Sequence, residues 1–364
     1  MLKDEDRIFT NLYGWFDPSL AGARKRGDWS NTKEILAMSP EDIVEVIKAS
    51  GLRGRGGAGF PTGVKWRTVA AAKALQKYIV CNADEGDSGT YADRMIMEGD
   101  PFVLIEGMVI AGIAVGASRG YVYLRSEYPH AAAAFALALD EARRAGLLGA
   151  RIGGSAHDFD IELRMGAGAY VCGEETALLD SIEGKRGQVR AKPPLPAHQG
   201  LFGRPTVINN VISLASVPFI LAEGAGAYRD FGMGRSRGTM PIQLAGNIRF
   251  GGLYETAFGV TLGELVDEIG GGTASGGARC VSSSGGGSGG SGGGGGNGGG
   301  GGGSSGSGGD GGGGSGCRRR AMASAEAVRL STGASSGPSA AASARADGQR
   351  SKTRSSPWPS RAVA

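Results

Sequence analysis

The sequence predicts an α/β protein, with a layered domain of strands and helices over about residues 40–235. Short β-rich runs, such as YIVCN at 78–82, alternate with helix-length apolar stretches, such as 100–118, as in strand–helix–strand units. A dense glycine run at 51–63 directly follows the first well-punctuated helix. The length of 364 residues allows one large domain or two.

The helix and strand signals can be placed in chain order. In MSPEDIVEVIKASG, Ser39 can cap a helix, Pro40 suits its first turn and Gly51 can end it. A Pro-rich loop is predicted at 185–205. The other predicted elements are strands at 78–82, 120–125 and 159–164, helices at 100–118, 130–146 and from about 170 to Gly184, and a helix from about Asn209 to Gly224 that Pro218 kinks or splits.

A second unit begins near residue 240. A strand (PIQLAGNI), a turn at Gly251 and Gly252, another strand and a helix from Thr261 follow one another. This order fits the opening of a β-grasp domain. Such a unit needs further strands to cover its helix, and the sequence predicts none before the glycine tract.

Charge and composition exclude several function classes. The net charge of +4 comes from the tail after Val281, which holds nine Lys or Arg against three acids, so the globular part gives no reason to expect nucleic acid. Four cysteines show no disulfide or metal spacing, and the amino terminus has no signal-peptide core. The run 102–118 is interrupted by Glu106 and predicts a buried helix, not a membrane span.

The glycine run 51–63 predicts either an anion cradle or a flexible connection. Successive backbone N–H groups without side chains form concave anion sites and allow a flat ring to approach closely. Lys65 can meet a phosphate or be a solvated lysine, and Phe60 can stack on an aromatic ligand or be partly buried. The spacing is neither GxGxxG with a downstream acid nor a Walker A loop.

Three polar clusters are further candidates, each with a plain structural alternative. Asn82, Asp84 and Glu85 follow a strand, where open α/β sheets place ligand contacts, but the run is also turn chemistry. The pairs Glu174–Glu175 and Asn209–Asn210 begin helices, where capping alone would explain them. The three histidines lack partners at metal spacing and receive no role.

Four segments together resemble one family. They are SGLRGRGGAGFPTGVKW, CNADEGDSGTYADR, GAGAYVCGEETALLDSIEGKRG and KPPLPAHQGLFGRPTVINNV, in this order. The combination resembles the NADH-oxidising, FMN-binding subunit of respiratory complex I, its 51-kilodalton or F subunit. It also resembles the homologous beta subunit of NAD-dependent formate dehydrogenases and the matching subunit of NAD-reducing hydrogenases. The resemblance covers about residues 1–275.

The resemblance implies a Rossmann-like domain that holds FMN and NAD(H) face to face, with no catalytic side chain, because hydride passes between cofactors. It implies that Phe60 stacks on the adenine side of NADH, that Lys65 reaches the flavin region and that Glu85 faces both cofactors. It also implies that Asn209 and Asn210 contact the flavin phosphate end. The implied cofactor-binding residues are Gly54, Arg55, Gly56, Gly57, Ala58, Gly59, Phe60, Lys65, Asn82, Asp84, Glu85, Tyr170, Gly173, Glu174, Glu175, Asn209 and Asn210.

The chain departs from the family at its end. The family continues into the rest of a β-grasp domain and a helical bundle whose CxxCxxC motif and a distant Cys bind a 4Fe-4S cluster. Cys280 and Cys317 have no ligand spacing, so no metal ligands are predicted here. A frameshift near residue 275 and a genuine flexible tail are the two hypotheses. The expected organisation is an amino-terminal segment 1–39, the FMN/NADH-binding domain 40–235, a partial β-grasp domain 236–275 and a disordered tail 276–364.

Three functions follow from these expectations. The first is an NADH dehydrogenase module that feeds electrons toward iron–sulfur clusters and quinone, of complex I type or as the diaphorase subunit of a formate dehydrogenase or hydrogenase. The MLKDEDRIFTNLYG opening favours complex I, whereas EGDSGT, LRSEYPHA and Thr68, where complex I has a second aromatic, favour the relatives. The second is nucleic-acid binding by the tail, which lacks interleaved aromatics. The third is a truncation product that does not retain flavin.

The resemblance also implies partners and a location. In complex I the partners are the thioredoxin-like 2Fe-2S protein, or E subunit, and the large iron–sulfur protein, or G subunit. In the relatives they are the other subunits of a formate dehydrogenase. The expected location is cytoplasmic, with attachment to the inner face of the plasma membrane only through such partners.

Overall fold

Four parallel strands form the central sheet in a computed structural model that describes residue 2, residues 6–87 and 89–276, and the backbone of 281–285. The sequence predicts the first three strands to within one residue at either end, and the α/β class is confirmed. In spatial order β3-β2-β1-β4, the strands are β1 (Tyr78–Ala83), β2 (Arg119–Leu124), β3 (Asp160–Met165) and β4 (Thr206–Asn210).

The order of the strands creates a switch point between β1 and β4. The chain moves from β1 outward to β2 and β3, and then returns to the other side of β1 as β4. Connections that leave neighbouring parallel strands in opposite directions open a crevice at their carboxyl ends. In the register of this pair, Asn82 lies opposite Asn210 and Cys81 opposite Asn209.

Helices form the amino-terminal segment and pack around the sheet. Most of them begin with a side-chain cap or with proline in the first turn, as Ser39 and Pro40 do for α3. The helices are α1 (Leu20–Arg26), α2 (Thr32–Leu36), α3 (Pro40–Ala49), α4 (Thr62–Ala71), α5 (Ala92–Gly99), α6 (Pro101–Val115), α7 (Pro129–Arg144), α8 (Glu175–Ile182), α9 (Pro196–Gln199), α10 (Val211–Ala215), α11 (Val217–Glu223) and α12 (Ala225–Asp230).

The apolar run near residue 100 forms the central helix of the core. Every residue of α6 is buried, including Glu106, whose carboxylate accepts hydrogen bonds from the Thr32 hydroxyl (2.8 Å) and the Trp29 N–H (3.0 Å). The prediction of a buried helix is confirmed. Among the described residues, no helix has the length and apolarity that crossing a membrane requires.

The region before α10 differs from its prediction. The sequence predicts a helix from about Asn209, whereas Asn209 and Asn210 end the fully buried strand β4 and helix α10 starts at Val211. The predicted break at Pro218 is present, because α10 and α11 are separate helices and Pro218 lies in the first turn of α11. The sequence gives no sign of this strand because its TVI run stands directly between a Pro-rich loop and a helix.

The second unit contains one more strand than expected. The unit begins with a small hairpin of β5 (Gly232–Met233) and β6 (Ser236–Arg237). Strands β7 (Thr239–Gly246) and β8 (Gly252–Ala257) then pair antiparallel, and a π-helix (Glu264–Ile269) follows them. The backbone of β9 (Val281–Gly285) then pairs antiparallel with β7. The prediction that no further strand follows is therefore wrong. The β-grasp assignment stays a prediction, and the rest of the predicted tail lies outside the described residues.

Candidate functional site

A cavity of about 340 Å³ lies at the carboxyl ends of β1 and β4. Its volume falls within the ~300–1,000 Å³ that is usual for small-molecule sites. The glycine loop, the start of α8 and the Pro-rich loop before β4 form its walls. Twelve of the residues named from the sequence line it: Gly54, Gly56, Ala58, Gly59, Phe60, Lys65, Asn82, Gly173, Glu174, Glu175, Asn209 and Asn210.

The glycine loop is a short hairpin with a defined backbone. The Gly54 N–H donates to the Phe60 carbonyl (2.9 Å), and Gly57 and Gly59 have φ angles of 99° and 59°. These left-handed conformations favour glycine over residues with a β-carbon. Within the described part of the chain, nothing accepts a hydrogen bond from the N–H groups of residues 56 to 59. The loop therefore offers a run of free donors beside the cavity, as an anion cradle requires.

Arg55, also named as a cofactor contact, has its side chain elsewhere. The guanidinium Nη2 donates to the Tyr228 hydroxyl (2.7 Å) and to the Arg237 carbonyl (2.5 Å), and the group lies over the Phe258 ring at 4.4 Å. Its backbone N–H donates to the Ser213 hydroxyl (2.8 Å). The arginine therefore fastens the hairpin to the body of the protein, and neither it nor Gly57 lines the cavity.

Asn209 and Asn210 form the floor of the cavity at the end of β4. The Asn209 Oδ1 accepts from the Trp66 indole (2.9 Å). The Asn210 Nδ2 donates to the Asp93 carboxylate (2.8 Å), and its Oδ1 accepts from the Ile212 N–H (2.9 Å) and so caps α10. The capping alternative is thus correct for Asn210, and both side chains are held in one orientation at the cavity wall.

Asn82 holds the opposite side of the switch point. Its Nδ2 donates to the Gly173 carbonyl (2.8 Å), and its Oδ1 accepts from the Asp84 N–H (3.1 Å). The bond to Gly173 ties the end of β1 to the 3-10 turn Tyr170–Gly173 that precedes α8. The polar residues at the end of β1 and the Glu174–Glu175 pair at the start of α8 are therefore parts of one site.

Asp84 and Glu85 are close to the cavity but do not line it. Burial raises the pKa of Asp84 to about 6, against the opposing charge of Arg125. Glu85 is fully buried, and its carboxylate accepts from the Asp93 N–H (3.0 Å) at the start of α5 and from the Tyr128 hydroxyl (2.9 Å). The expectation that Glu85 faces both cofactors does not match this position, because its carboxylate is turned into the helix end.

The pair Glu174–Glu175 combines with two lysines across the cavity. Lys192 Nζ lies 3.1 Å from Glu174 Oε1 and 2.5 Å from Glu175 Oε1, and Lys65 Nζ lies 3.9 Å from Glu175 Oε2. Burial lowers the pKa of Lys65, although Glu175 opposes the shift. Burial acts to raise the pKa of Glu174, but hydrogen bonds from Thr176 and its neighbours outweigh it, and the pKa is lowered. These four side chains carry balanced charge, and we call them the ion cluster.

Two aromatic candidates occupy different places. Phe60 lines the cavity and is 50% exposed, which leaves a ring face free for stacking. Tyr170 is 68% exposed and donates to the Asp87 carboxylate (3.1 Å), and its ring covers Gly86, where a β-carbon would lie 2.7 Å from the ring. Tyr170 therefore stands beside the cavity and is not one of its lining residues.

Several residues of the site carry no signal in the sequence. Lys192 and the apolar wall that follows it stand in the KPPLPAHQG segment, which supports the family resemblance but suggests no role for its side chains. The sequence also gives no indication that Asp93 belongs to the site, because a carboxylate inside a helical ADR run is usually exposed. The lining residues that the sequence does not predict are Thr68, Lys192, Leu195, Pro196, Ala197, Thr206 and Ile208.

The cavity suits a phosphate-bearing, flat-ringed ligand. Free backbone N–H groups and a lysine supply phosphate donors, asparagine side chains can bond hydroxyl or ring heteroatoms, and Phe60 offers a stacking surface. FMN and a nicotinamide dinucleotide both have these features. In the part of the chain that the structure describes, no group of three or more His, Cys, Asp or Glu side chains could hold a metal ion.

Comparisons with known proteins identify a domain and several relatives of this chain. Residues 47–219 match the family model described as the Nuo51 FMN-binding domain. The chain is 49% identical over 277 residues to the NADP-reducing hydrogenase subunit HndC of Solidesulfovibrio fructosivorans, covering 76% of this chain and 56% of that protein. It is 48% identical over 277 residues to the F subunit of the NADH-quinone oxidoreductase of Rhodobacter capsulatus, covering 76% and 64%.

A solved structure agrees as well. A crystal structure of an NAD+-reducing NiFe hydrogenase in the H2-reduced state superimposes with a TM-score of 0.62 and 37% identity, covering 73% of this chain and 45% of that chain. The chain thus spans between 45% and 64% of the length of these three proteins. Residues 47–219 of the chain therefore carry a Nuo51 FMN-binding domain, and 76% of the chain is similar to these relatives.

Proposed function

We propose that this chain binds FMN and NADH together in the cavity at the switch point and oxidises NADH, as the NADH dehydrogenase module of a larger respiratory-type assembly. The observation that carries the proposal is the meeting of the glycine hairpin, the two strand ends and the start of α8 around one cavity. Four separate stretches of sequence supply these walls, and all four bear polar groups suited to the two ligands.

FMN, when bound, supplies a ring that accepts hydride from the nicotinamide and releases the electrons singly. The residues of this chain hold and orient the two ligands. The free N–H groups of residues 56 to 59 and the Lys65 ammonium are suited to phosphate oxygens. Asn209 and Asn210, fixed by Trp66 and Asp93, present amide groups in one set orientation.

The ion cluster forms the part of the wall suited to the dinucleotide. Glu174 and Glu175 are each bonded to Lys192, which leaves the cluster nearly neutral. A dinucleotide with two phosphate charges can therefore approach without facing uncompensated carboxylates. Phe60, half-exposed at the same cavity, provides the stacking surface for an adenine or nicotinamide ring.

Partners of this module belong to the proposal. Electrons taken from NADH need an acceptor, and the relatives named above are subunits of a quinone oxidoreductase and of a hydrogenase. We propose iron–sulfur subunits as the partners, with quinone as the final acceptor, and attachment to a membrane only through them.

The experiment is flavin reconstitution of the purified full chain. We expect a yellow protein whose flavin absorbance is bleached by NADH under anaerobic conditions. Lys65→Gln should weaken FMN binding by roughly tenfold, because a charged hydrogen bond is worth ~1.5–3 kcal/mol. The matched control is Lys33→Gln, distant along the chain on α2, with FMN affinity unchanged. A folded chain that takes up no FMN contradicts the proposal.

A diaphorase subunit of a hydrogenase is the second candidate, supported by the similarity to the hydrogenase subunit and to the NAD+-reducing hydrogenase structure. Both candidates share the cavity and differ in the electron acceptor. Co-purification from the native host decides between them, since hydrogenase activity in the isolated complex supports the second candidate and quinone reduction supports the first.

A further inference from the structure

A second pocket, of about 270 Å³, lies at the base of the glycine hairpin. Leu52, Arg53 and Pro61 form one wall, next to the close packing of α3 on α4, and the β5–β6 hairpin forms another. The cofactor cavity is lined by the tip of the same hairpin, whereas the second pocket is lined by its base. Five cationic side chains line the second space, which we call the basic pocket: Lys48, Arg53, Arg229, Arg235 and Arg237.

The charge of the basic pocket is unbalanced. No Asp or Glu is among the described residues that line it. Among the residues that the structure describes, Lys48 is the one pocket cation with a carboxylate partner, Glu45 at 3.1 Å on the exposed face of α3. Within residues 6–87 and 89–276, the guanidinium groups of Arg53 and Arg235 have no hydrogen-bond or ion-pair partner, in contrast to the balanced ion cluster of the cofactor cavity.

The convergence of these cations is unfavourable in the free protein. Burial lowers the pKa of Arg53, and the neighbouring charges of Arg235 and Arg55 lower it further. Like charges gathered in a concave surface repel one another and raise the local concentration of anions. A bound anion would remove this repulsion, whereas water would only screen it.

We propose that the basic pocket binds a small, multiply charged oxyanion, a phosphate or diphosphate group. Guanidinium groups present paired N–H donors that match two oxygens of a phosphate at once, and four of the five cations are arginines. No aromatic side chain is among the described residues that line the pocket, so it suits a phosphate group better than a flat-ringed ligand. This inference does not depend on the function proposed for the other cavity.

The test is calorimetric titration of the full chain with sodium pyrophosphate, and separately with inorganic phosphate, in buffer of fixed ionic strength. We expect one site for pyrophosphate that binds more weakly as salt is added. The double variant Arg53→Gln, Arg235→Gln should weaken that binding by about tenfold for each arginine removed. Because neither guanidinium has a partner in the described residues, the variant should fold, and its thermal midpoint without pyrophosphate should not fall.

Two controls separate this site from the cofactor cavity and from general charge. Arg24→Gln with Arg119→Gln removes the same charge at exposed positions outside the pocket and should leave pyrophosphate binding intact. Lys65→Gln should also leave it intact. The proposal is overturned if Lys65→Gln abolishes binding while the pocket variant retains it, or if all variants lose binding equally. It is also overturned if a polyglutamate peptide binds the pocket and pyrophosphate does not. Phosphate binding with the same pattern of variants supports it.

Discussion

The two acidic pairs near the cavity, Glu174–Glu175 and Glu85–Asp93, have opposite environments. The first pair faces the cavity and contacts Lys192. The second pair is buried behind the end of β1, where burial raises the pKa of both groups and the charge of Glu85 raises the pKa of Asp93 further. The sequence shows carboxylates in both places, but only the packing around them decides which pair lines the cavity and which is buried.

The largest expected effect comes from the buried pair. Glu85→Ala removes the acceptor for the Asp93 N–H and the Tyr128 hydroxyl, leaving buried donors that cost ~1–3 kcal/mol each. We expect the free energy of unfolding in urea to fall by about 3 kcal/mol. Glu85→Gln, which keeps an acceptor oxygen, should lose clearly less. Equal losses for the two variants would show that the hydrogen bonds are not the cause.

The cavity pair should respond through binding and not through stability. Lys192→Ala removes the cation nearest to Glu174 and Glu175 and leaves Glu175 only the more distant Lys65, at 3.9 Å, so the pair repels the phosphates of a dinucleotide. NADH affinity, measured by fluorescence titration, should fall by about tenfold, while unfolding free energy changes by less than ~1 kcal/mol. Lys185→Ala, which breaks an exposed ion pair with Glu183, is the matched control and should change neither quantity. A large loss of stability in Lys192→Ala would contradict the prediction that the cavity pair affects binding and not stability.

The smallest expected effect is on the pH dependence of the unfolding free energy, to which the buried pair and the cavity pair should contribute in opposite ways. Asp93 has a raised pKa, so the folded state holds its proton longer than the unfolded chain, and this stabilisation is lost as the pH rises above the ordinary value of 3.8. Glu174 has a lowered pKa, so its stabilisation is lost as the pH falls below about 4.5.

Variants at these two positions should therefore change opposite ends of the stability curve. Asp93→Asn should flatten the fall in unfolding free energy as the pH rises above about 4, and Glu174→Gln should flatten the fall as the pH drops below about 4.5. Urea titrations across this range measure both. If the slope of unfolding free energy against pH changed in the same direction for both variants, the two carboxylates would not have opposite environments.

Apolar periodicity predicts the fold where the pattern is long and fails where context decides. Strands β1 to β3 and the buried helix α6 follow from apolar patterns alone. Strand β4 does not, because its short TVI run leads directly into Asn209 and Asn210, a pair that is typical of a helix start. Composition locates the glycine hairpin, but a choice between cradle and flexible connection requires its backbone bonds.

Long-range pairing explains the remaining differences in the site. Arg55 stands in the middle of the glycine run, yet its direction is set by Tyr228 and Arg237, far along the chain. Lys192 joins the site only because its loop folds over the start of α8. The basic pocket likewise combines α3, the hairpin base and the β5–β6 turn, and no local pattern brings those arginines together.

The register that places Asn82 opposite Asn210 has a consequence for biosynthesis. The two halves of the ligand-binding crevice are made at different times on the ribosome, and the later half is the last strand of the sheet. Until residues 206–210 are made, the cavity lacks Asn209 and Asn210, which form its floor. We therefore expect ligand capture at this cavity to begin only after this strand has joined the sheet.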